Sequence, residues 1–583
     1  MVAAKKADFN QWAATFKISP VVARILRNRD LTEEEQVRKF LQGTLEDCYS
    51  PWLLKDMDKA VTAVKKAIAG QQKIRVIGDY DVDGICSAYI LTRGFSFLGA
   101  DVDTAIPHRI HDGYGLNDHL IALAKEDGVN LIVTCDNGIA AEKQIARAVE
   151  LGMDVVVTDH HEVPYEISPD GQSRREILPP ALAVVDPKRS ECTYPFPGIC
   201  GGVVAYKLIL ALLENREDAG EVLEELLEFA AFSTVCDVME LTDENRILVK
   251  EGLQRMKHSR NQGLKALMEV NELDAEKLSA YHLGFILGPC LNATGRLDTA
   301  KRALELLQSR TKVEAMSAAR ELKELNDSRK NLTVKGVELA QESIRIHQME
   351  QDKVLVIYLP QVHESLAGII AGRIREQYNK PVIVLTKGEE GVKGSGRSIE
   401  TYHMYDQLTR VKELFTKYGG HRMAAGLSME EENVEELRRC LNQNCELTED
   451  DFIPRVHIDV PMPVSFTTEE LARELEVLEP FGVGNPKPLF AQKDLRFQSG
   501  HKMGAGGNCA KFHVVTPEGT GEQLTMFRNL ERFETFLKEK YGEDSVARLY
   551  AGKGDYSVSV VYQLGLNTFR GKTEKQLVIQ NFC

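Results

Sequence analysis

No stretch of this 583-residue chain approaches the roughly 18 consecutive apolar residues that a membrane-spanning helix needs, so no such span is expected. The opening residues, Met1-Val2-Ala3-Ala4-Lys5-Lys6-Ala7-Asp8, run directly into polar sequence and lack the apolar core of a signal peptide. There is no Cys-x-x-Cys pair, and the eleven cysteines are an odd, scattered set. That argues against a disulfide framework and for a reducing, cytoplasmic setting. Cys86, Cys135 and Cys236 stand beside acidic motifs but read as small buried residues filling contacts. A basic excess is also missing. The formal net charge of −15 argues against nonspecific duplex binding, although one basic channel could still exist on an acidic protein. Internal repeats and low-complexity tracts are absent as well.

What is present is an ordinary globular composition, 43% apolar and 27% charged, in a chain too long for one core. Roughly two to four domains are expected. Residues 1–66 read as a segment of short helices, with amphipathic spacing in Val21-Val22-Ala23-Arg24-Ile25-Leu26. From Lys73 to about Asp186, β-branched apolar runs alternate with helical segments, the signature of a parallel sheet. A helical stretch follows, and this first α/β unit is placed at 67–300. Residues 301–350 contain no proline and only Gly336, which predicts long helices bridging two domains. A second α/β unit is placed at 351–448, starting with Val354-Leu355-Val356-Ile357-Tyr358. Residues 449–583 turn to short alternating strands, including Val456–Val460, Phe490–Phe497, Lys511–Val515 and Ser557–Gln563. Such spacing suggests a small β-barrel or sandwich.

Three apolar runs end in acids. Ile74-Arg75-Val76-Ile77 leads into Gly78-Asp79-Tyr80-Asp81-Val82-Asp83-Gly84, and Leu131-Ile132-Val133-Thr134-Cys135 leads into Asp136-Asn137-Gly138. Met153-Asp154-Val155-Val156-Val157-Thr158 leads into Asp159-His160-His161. Ligands bind beyond the carboxyl ends of parallel strands. Several carboxylates in one crevice are costly unless a cation neutralises them. Each piece has a plainer reading: a solvated acidic loop for the first, an Asn-Gly turn for the second. Imidazole with carboxylate suits Mn²⁺, Fe²⁺ or Zn²⁺, and an acid-rich site also takes Mg²⁺. Asp237, inside Phe232-Ser233-Thr234-Val235-Cys236-Asp237-Val238-Met239, is either a helix cap or a further ligand.

Taken in order, these motifs resemble the DHH phosphoesterase superfamily, and within it the single-strand-specific 5′→3′ DNA exonucleases. Val185-Asp186-Pro187-Lys188-Arg189, Tyr194-Pro195-Phe196, Gly288-Pro289-Cys290-Leu291-Asn292-Ala293-Thr294-Gly295-Arg296-Leu297 and Gly419-Gly420-His421 carry the same resemblance. It implies a DHH parallel-sheet domain joined by long helices to a DHHA1 α/β domain, followed by an all-β OB-fold domain. It also implies two divalent ions, Mn²⁺ or Mg²⁺, held by Asp81, Asp83, Asp136, His160 and Asp237 with Asp79 close by. His161 would contact the scissile phosphate or support the site. Asn292, Arg296, Arg373, Ser395, Arg397 and His421 stand where the family binds substrate. Gly419-Gly420-His421 also has a plain reading, a glycine turn capped by the histidine.

The OB-like region offers Arg496, Phe497, Lys511, Phe512, Arg528, Phe569, Arg570 and Lys572 for basic and stacking contacts to a single strand, though several aromatics must instead fill the barrel. Cys236 stands where the family favours a smaller residue, and Gly201-Gly202-Val203 differs from its usual Gly-Val-Gly; neither removes a ligand. The implied activity is single-stranded DNA exonucleolysis to mononucleotides in repair and recombination, by a monomer working beside a helicase and a single-strand-binding protein. The alternatives are a DHH phosphodiesterase acting on short oligonucleotides, 3′-phosphoadenosine 5′-phosphate or cyclic dinucleotides, and a noncatalytic DHH replication scaffold. The region after Asp450 separates the first alternative, and the retained acids the second.

Overall fold

Short runs of four or five largely β-branched residues, mostly buried except in the half-buried edge strand Val102–Ala105, satisfy their backbone by pairing with neighbours and build the first sheet. In the computed structural model, which describes residues 5, 7–108, 115–168, 174–388, 391–504, 506–569 and 571–583, these strands are β1 (Ile74–Ile77), β2 (Val102–Ala105), β3 (Leu131–Cys135) and β4 (Asp154–Thr158). A small exposed hairpin of β5 (Tyr165–Ile167) and β6 (Arg174–Glu176) precedes the last strand, β7 (Ala183–Val185). The order is β2-β1-β3-β4-β7 and every pairing is parallel. Arg75 sits in this buried sheet because its guanidinium is bound by both oxygens of Asp103 and by Asp127, each at 2.7 Å.

The second sheet comprises β8 (Leu355–Tyr358), β9 (Val382–Lys387), β10 (Val392–Arg397), β11 (Lys417–Gly420) and β12 (Ala424–Met429), in the order β11-β12-β10-β9-β8. Only β8 and β9 pair in parallel; the other pairs are antiparallel. One 35-residue helix, Lys312–Ile346, links the two sheets. At 1.5 Å per residue it spans about 50 Å. Thr311 and Glu314 close its first turn reciprocally, and the run without proline lets it continue.

The third unit is a closed barrel of β13 (Phe490–Met503), β14 (Cys509–Val515), β15 (Gly521–Met526), β16 (Tyr556–Phe569) and β17 (Lys572–Phe582). The strand expected over Val456–Val460 is reduced to isolated bridging, Val460 to Phe490. The N-terminal helical segment divides between two cores. Trp12, Val22, Ile25, Leu26 and Phe40 pack with Phe490, Phe497 and Leu478 of the barrel unit, whereas the helix Met57–Ala69 packs against the first sheet. An apolar face spaced for helix packing does not say which distant surface it meets.

Arg246 fixes the barrel unit to the first. Its side chain, 1% exposed, rises from the helix Asp243–Met256 and donates to the carbonyls of Phe40 (2.8 Å), Val477 (3.0 Å), Leu478 (2.9 Å) and Glu479 (2.7 Å). Its guanidinium also lies 3.8 Å from the Phe40 ring centre. Buried carbonyls left without donors cost about 1–3 kcal/mol each, so Arg246→Met is expected to destabilise the barrel unit by at least about 3 kcal/mol. Urea titration followed by the fluorescence of Trp12, buried in that core, measures it.

Candidate metal centre

Each acid reaches the site because a strand ends beneath it. After β1 the chain turns through Asp79 and Tyr80 to Asp81, which caps the helix Val82–Phe97 by accepting from the Gly84 N–H at 3.1 Å. Asp83 lies in that helix's first turn and is 2% exposed. It accepts from the N–H groups of Gly201 and Gly202, both at 2.8 Å, and from the Ser233 hydroxyl. These amides open the helix Gly201–Leu213, whose N-terminal dipole favours an anion. Side chains there would not fit. A Cβ on Gly201 would stand 2.8 Å from that of Asp136, and one on Gly202 would collide with Ser233.

Asp136 follows β3 with φ of 59°, a left-handed turn that Asp tolerates better than most residues. Asn137 braces it by donating to the carbonyls of Ile77 (3.1 Å) and Cys135 (2.9 Å), tying the ends of β1 and β3 together. Beyond β4, Asp159 orders the histidines rather than joining the acid cluster. One of its oxygens accepts from the Ile139 N–H at 2.9 Å; the other meets the His160 N–H at 2.8 Å and His161 Nδ1 at 2.7 Å. Asp237 caps the end of the helix Gly220–Cys236 and also stands with Asp83 and His160 in a group that could hold an ion.

His160 Nε2 stands 3.1 Å from Asp136, 3.5 Å from Asp83 and 3.7 Å from Asp237. Three sets bring ligand atoms within 4.8 Å of one another: Asp136, His160 and His161; Asp83, His160 and Asp237; and Asp79, Asp81 and Asp136. Asp136 and His160 each belong to two sets, so the sets are contiguous. Burial and then the Asp83 charge push the Asp136 carboxyl well above the usual range, and the same pair of causes raises Asp81. Burial, Asp83 and Asp81 lift Asp237 to about 8. Burial lowers His160. For His161 burial works downward too, but the Asp159 hydrogen bond and the surrounding acids outweigh it and raise the imidazole to about 9. Oxygen-rich ligands with one or two imidazoles and too much negative charge for a dry pocket are the donor set that hard divalent cations take.

The other expected substrate residues distribute less uniformly. Gly295 lies against the loop of the acids: a Cβ there would stand 2.6 Å from the Tyr80 carbonyl. Its neighbour Arg296 donates to the Ser365 carbonyl at 2.8 Å, joining the two α/β units, and Asn292 is half-buried on the same helix, Gly288–Leu297. Ser365 leads into the helix Ala367–Tyr378, where Gly368 leaves room for Ser395 and Arg397, themselves 3.1 Å apart on β10. Arg373 lies on this helix yet points into a separate cleft with the linking helix. His421 is exposed after β11 and accepts from the Met423 N–H at 3.3 Å, but Gly419 and Gly420 end that strand, paired with Gly426 and Ala425, so the turn falls on His421 to Met423 and not on the glycines.

In the barrel, Phe512 is a correction. It is 1% exposed and packs on Phe497 and Phe533 at ring separations of 5.4 and 5.1 Å, so it fills the core and offers no stacking face. Arg496, Lys511 and Arg528 are exposed, and Phe569 is 66% exposed at the tip of the β16–β17 hairpin. Arg570 lies outside the described residues. Gly201, Gly202, Ser233 and Asn137 were missed as site residues. The doubled glycine opening a helix was the available signal.

Acids and imidazoles gathered at parallel strand ends, beside a second α/β unit and a barrel, define a DHH-type phosphoesterase. The chain matches the DHH family, N-terminal domain over residues 73–234, the DHHA1 domain over 351–447 and the RecJ OB domain over 458–581. It is 35% identical to the single-stranded-DNA-specific exonuclease RecJ of Bacillus subtilis (strain 168), across 97% of this chain and 68% of that protein. To the Escherichia coli (strain K12) RecJ it is 33% identical, across 97% and 96% respectively. The crystal structure of Thermus thermophilus RecJ in complex with Mn²⁺ matches with a TM-score of 0.78 at 27% identity, covering 100% of this chain and 79% of that one. The chain belongs to the RecJ family.

The four raised groups, Asp81, Asp136, Asp237 and His161, bind protons in the metal-free folded state that the unfolded chain releases. Asp237 does so between its ordinary value and about 8, and His161 up to about 9. Metal-free stability from this site therefore falls as pH rises through that window. A cation that takes the proton's place reverses the effect. Mn²⁺ is expected to raise the thermal unfolding midpoint more at pH 8.5 than at pH 6, and to release protons at pH 7. Calorimetry in buffers of different ionisation enthalpy reads the release; a proton count of zero contradicts it.

Proposed function

We propose that this chain is a metal-dependent exonuclease that degrades single-stranded DNA from its 5′ end to 5′-mononucleotides. The observation that carries the reading is the sharing of Asp136 and His160 between adjacent ligand sets. Two ions, Mn²⁺ or Mg²⁺, fit there on Asp79, Asp81, Asp83, Asp136, His160 and Asp237. Ions so placed polarise the phosphoryl oxygens and lower the pKa of a bound water. The protein's own part is to hold and to exclude. The Gly201 and Gly202 amides fix Asp83, and Asn137 fixes the turn that aims Asp136. Asp159 holds Nδ1 of His161, so a contact of this 43% exposed side chain with a phosphate oxygen would be made through Nε2. Arg296, Ser395, Arg397 and His421 take the flanking phosphates, for which arginine supplies a planar fork.

The barrel suits a single strand. It presents Arg496, Lys511, Arg528 and Phe569 outward, a combination of backbone-tracking charge and a stacking ring. Long substrates follow from that region, which the short-oligonucleotide phosphodiesterases lack. No helix among the described residues is long and apolar enough to cross a membrane. The reading places the protein in the cytoplasm as a monomer, supplied with single strands by a helicase and a single-strand-binding protein.

Digestion of long single strands labelled at either end tests this. With Mn²⁺ or Mg²⁺ the 5′ label is released first, as a mononucleotide, and chelation stops it; early release of the 3′ label contradicts the polarity. Asp136→Ala is expected to lower the rate at least about 1,000-fold, as loss of one member of an interdependent catalytic set does. His161→Ala, which removes one donor, should lower kcat by about 100-fold. Undiminished, metal-independent activity in Asp136→Ala would defeat the catalytic reading.

A further inference from the structure

The helix Ala367–Tyr378 has a second face. One turn round from Gly368, Ile369 and Arg373 line a cleft of about 540 Å³, within the range of small-ligand sites. The opposite wall is the linking helix, with Arg329, Lys330 and Val334, and Asn529 of the barrel unit closes one end. Three units therefore meet here. Three cations and two carboxylates, Glu338 and Glu376, line it, and none of them belongs to the metal centre. Arg329 is held by the Asn326 side-chain oxygen at 2.9 and 3.2 Å, a neutral partner. Burial, then the charge of Arg373, lowers the Arg329 guanidinium, so two like charges face a common space. Lys330 meets Asp327 at 3.3 Å, and Arg373 comes no nearer than 3.9 Å to Glu376. Glu338 also lines the cleft but pairs with none of the three cations.

Both walls connect to the metal loop. Asn326, which orients Arg329, donates to Cys290 at 3.3 Å, on the helix whose Gly295 abuts Tyr80. Arg296 of that same helix bonds to Ser365, three residues before Gly368. On the barrel side, Asn529 directly follows Phe527, 47% exposed, and the exposed Arg528. Cations against apolar Val334 and Ile369 match a nucleotide, with phosphate on one side and base on the other.

We infer that this cleft is a nucleotide subsite through which the single strand passes between the barrel and the metal centre, its phosphate held by Arg329, Lys330 and Arg373 and its base laid against Val334 and Ile369. The inference rests on the single-strand reading above.

The test compares wild type with Lys330→Glu and Lys330→Arg on labelled strands of about 40 nucleotides and oligonucleotides of about four, the short ones covering no more than one small site. Lys330→Glu is expected to raise KM for the long strand about 10-fold, to shift KM for the short one less than about twofold, and to flatten the salt dependence of binding. Lys330→Arg restores the wild-type values. An unchanged long-strand KM in Lys330→Glu, or equal losses on both lengths, overturns the subsite. Strand binding by fluorescence anisotropy in chelator separates the two claims. If wild type hydrolyses nothing yet Lys330→Glu still binds the long strand about 10-fold more weakly, the nuclease reading falls and the subsite stands. Displacement of the strand by a deoxynucleoside monophosphate from wild type, but not from Lys330→Glu, assigns the cleft to free nucleotide and overturns its place on the strand's path.

Discussion

The mutual repulsion of buried carboxylates governs this molecule. Asp81, Asp83, Asp136 and Asp237 are drawn from two strand ends and a helix end into a largely buried pocket, where burial and the Asp83 charge raise the proton affinity of Asp81, Asp136 and Asp237. Such an arrangement persists in a folded protein only if the surrounding backbone over-determines it. Two amides at one helix start hold Asp83, a capped helix holds Asp81, and a left-handed turn braced across two strands holds Asp136. The glycines are consequences of the same crowding, since a methyl group at Gly201 or Gly202 would occupy space that the acids and Ser233 need. Cys236 belongs to this packing too: a Cβ on Gly288 would collide with its sulfur, so the thiol is accommodated by a missing side chain opposite.

Stored repulsion also explains why the cluster is built on a sheet rather than on loops. Parallel strands paired on both sides cannot drift apart when like charges push at their ends. The Asp159 side chain extends this rigidity to the histidines by bonding to both sides of the turn that presents them. His160 is driven toward its neutral form by burial, the state in which an imidazole can donate a lone pair, while His161 is driven toward its charged form. Adjacent residues with the same side chain thus acquire different chemistry from their positions alone.

The barrel is attached by a different kind of force. Arg246 binds main-chain carbonyls, and the first helices of the chain share the barrel's apolar core, so the beginning and end of the chain close on one another around the catalytic unit. Removing everything after the second sheet would therefore strip the partner from Trp12, Ile25 and Phe40 as well. The surface proposed for the single strand is best changed residue by residue, at positions such as Lys511 and Phe569 whose side chains face solvent.

Local chemistry was legible from the residues: acids directly after β-branched runs, paired histidines, a long segment without proline, glycines where a turn follows. These patterns act over a few neighbours, so periodicity and composition carry them. The division of the N-terminal helices between two cores was not legible, because an amphipathic stripe states that a face is buried without stating against what. Nor was the fate of Phe512 against Phe569. Both are aromatic residues in β-strands, and only the pleat within a closed barrel turns one inward and leaves the other at a hairpin tip. The same holds for Arg373, which chain position groups with Ser395 and Arg397 but helix geometry turns toward Arg329. Which groups carry charge, and where strands and helices end, could be read along the chain, since those depend on adjacent residues. Which charges share one space was decided only by tertiary structure, because that depends on neighbours brought together from as far apart as Asp83 and Asp237.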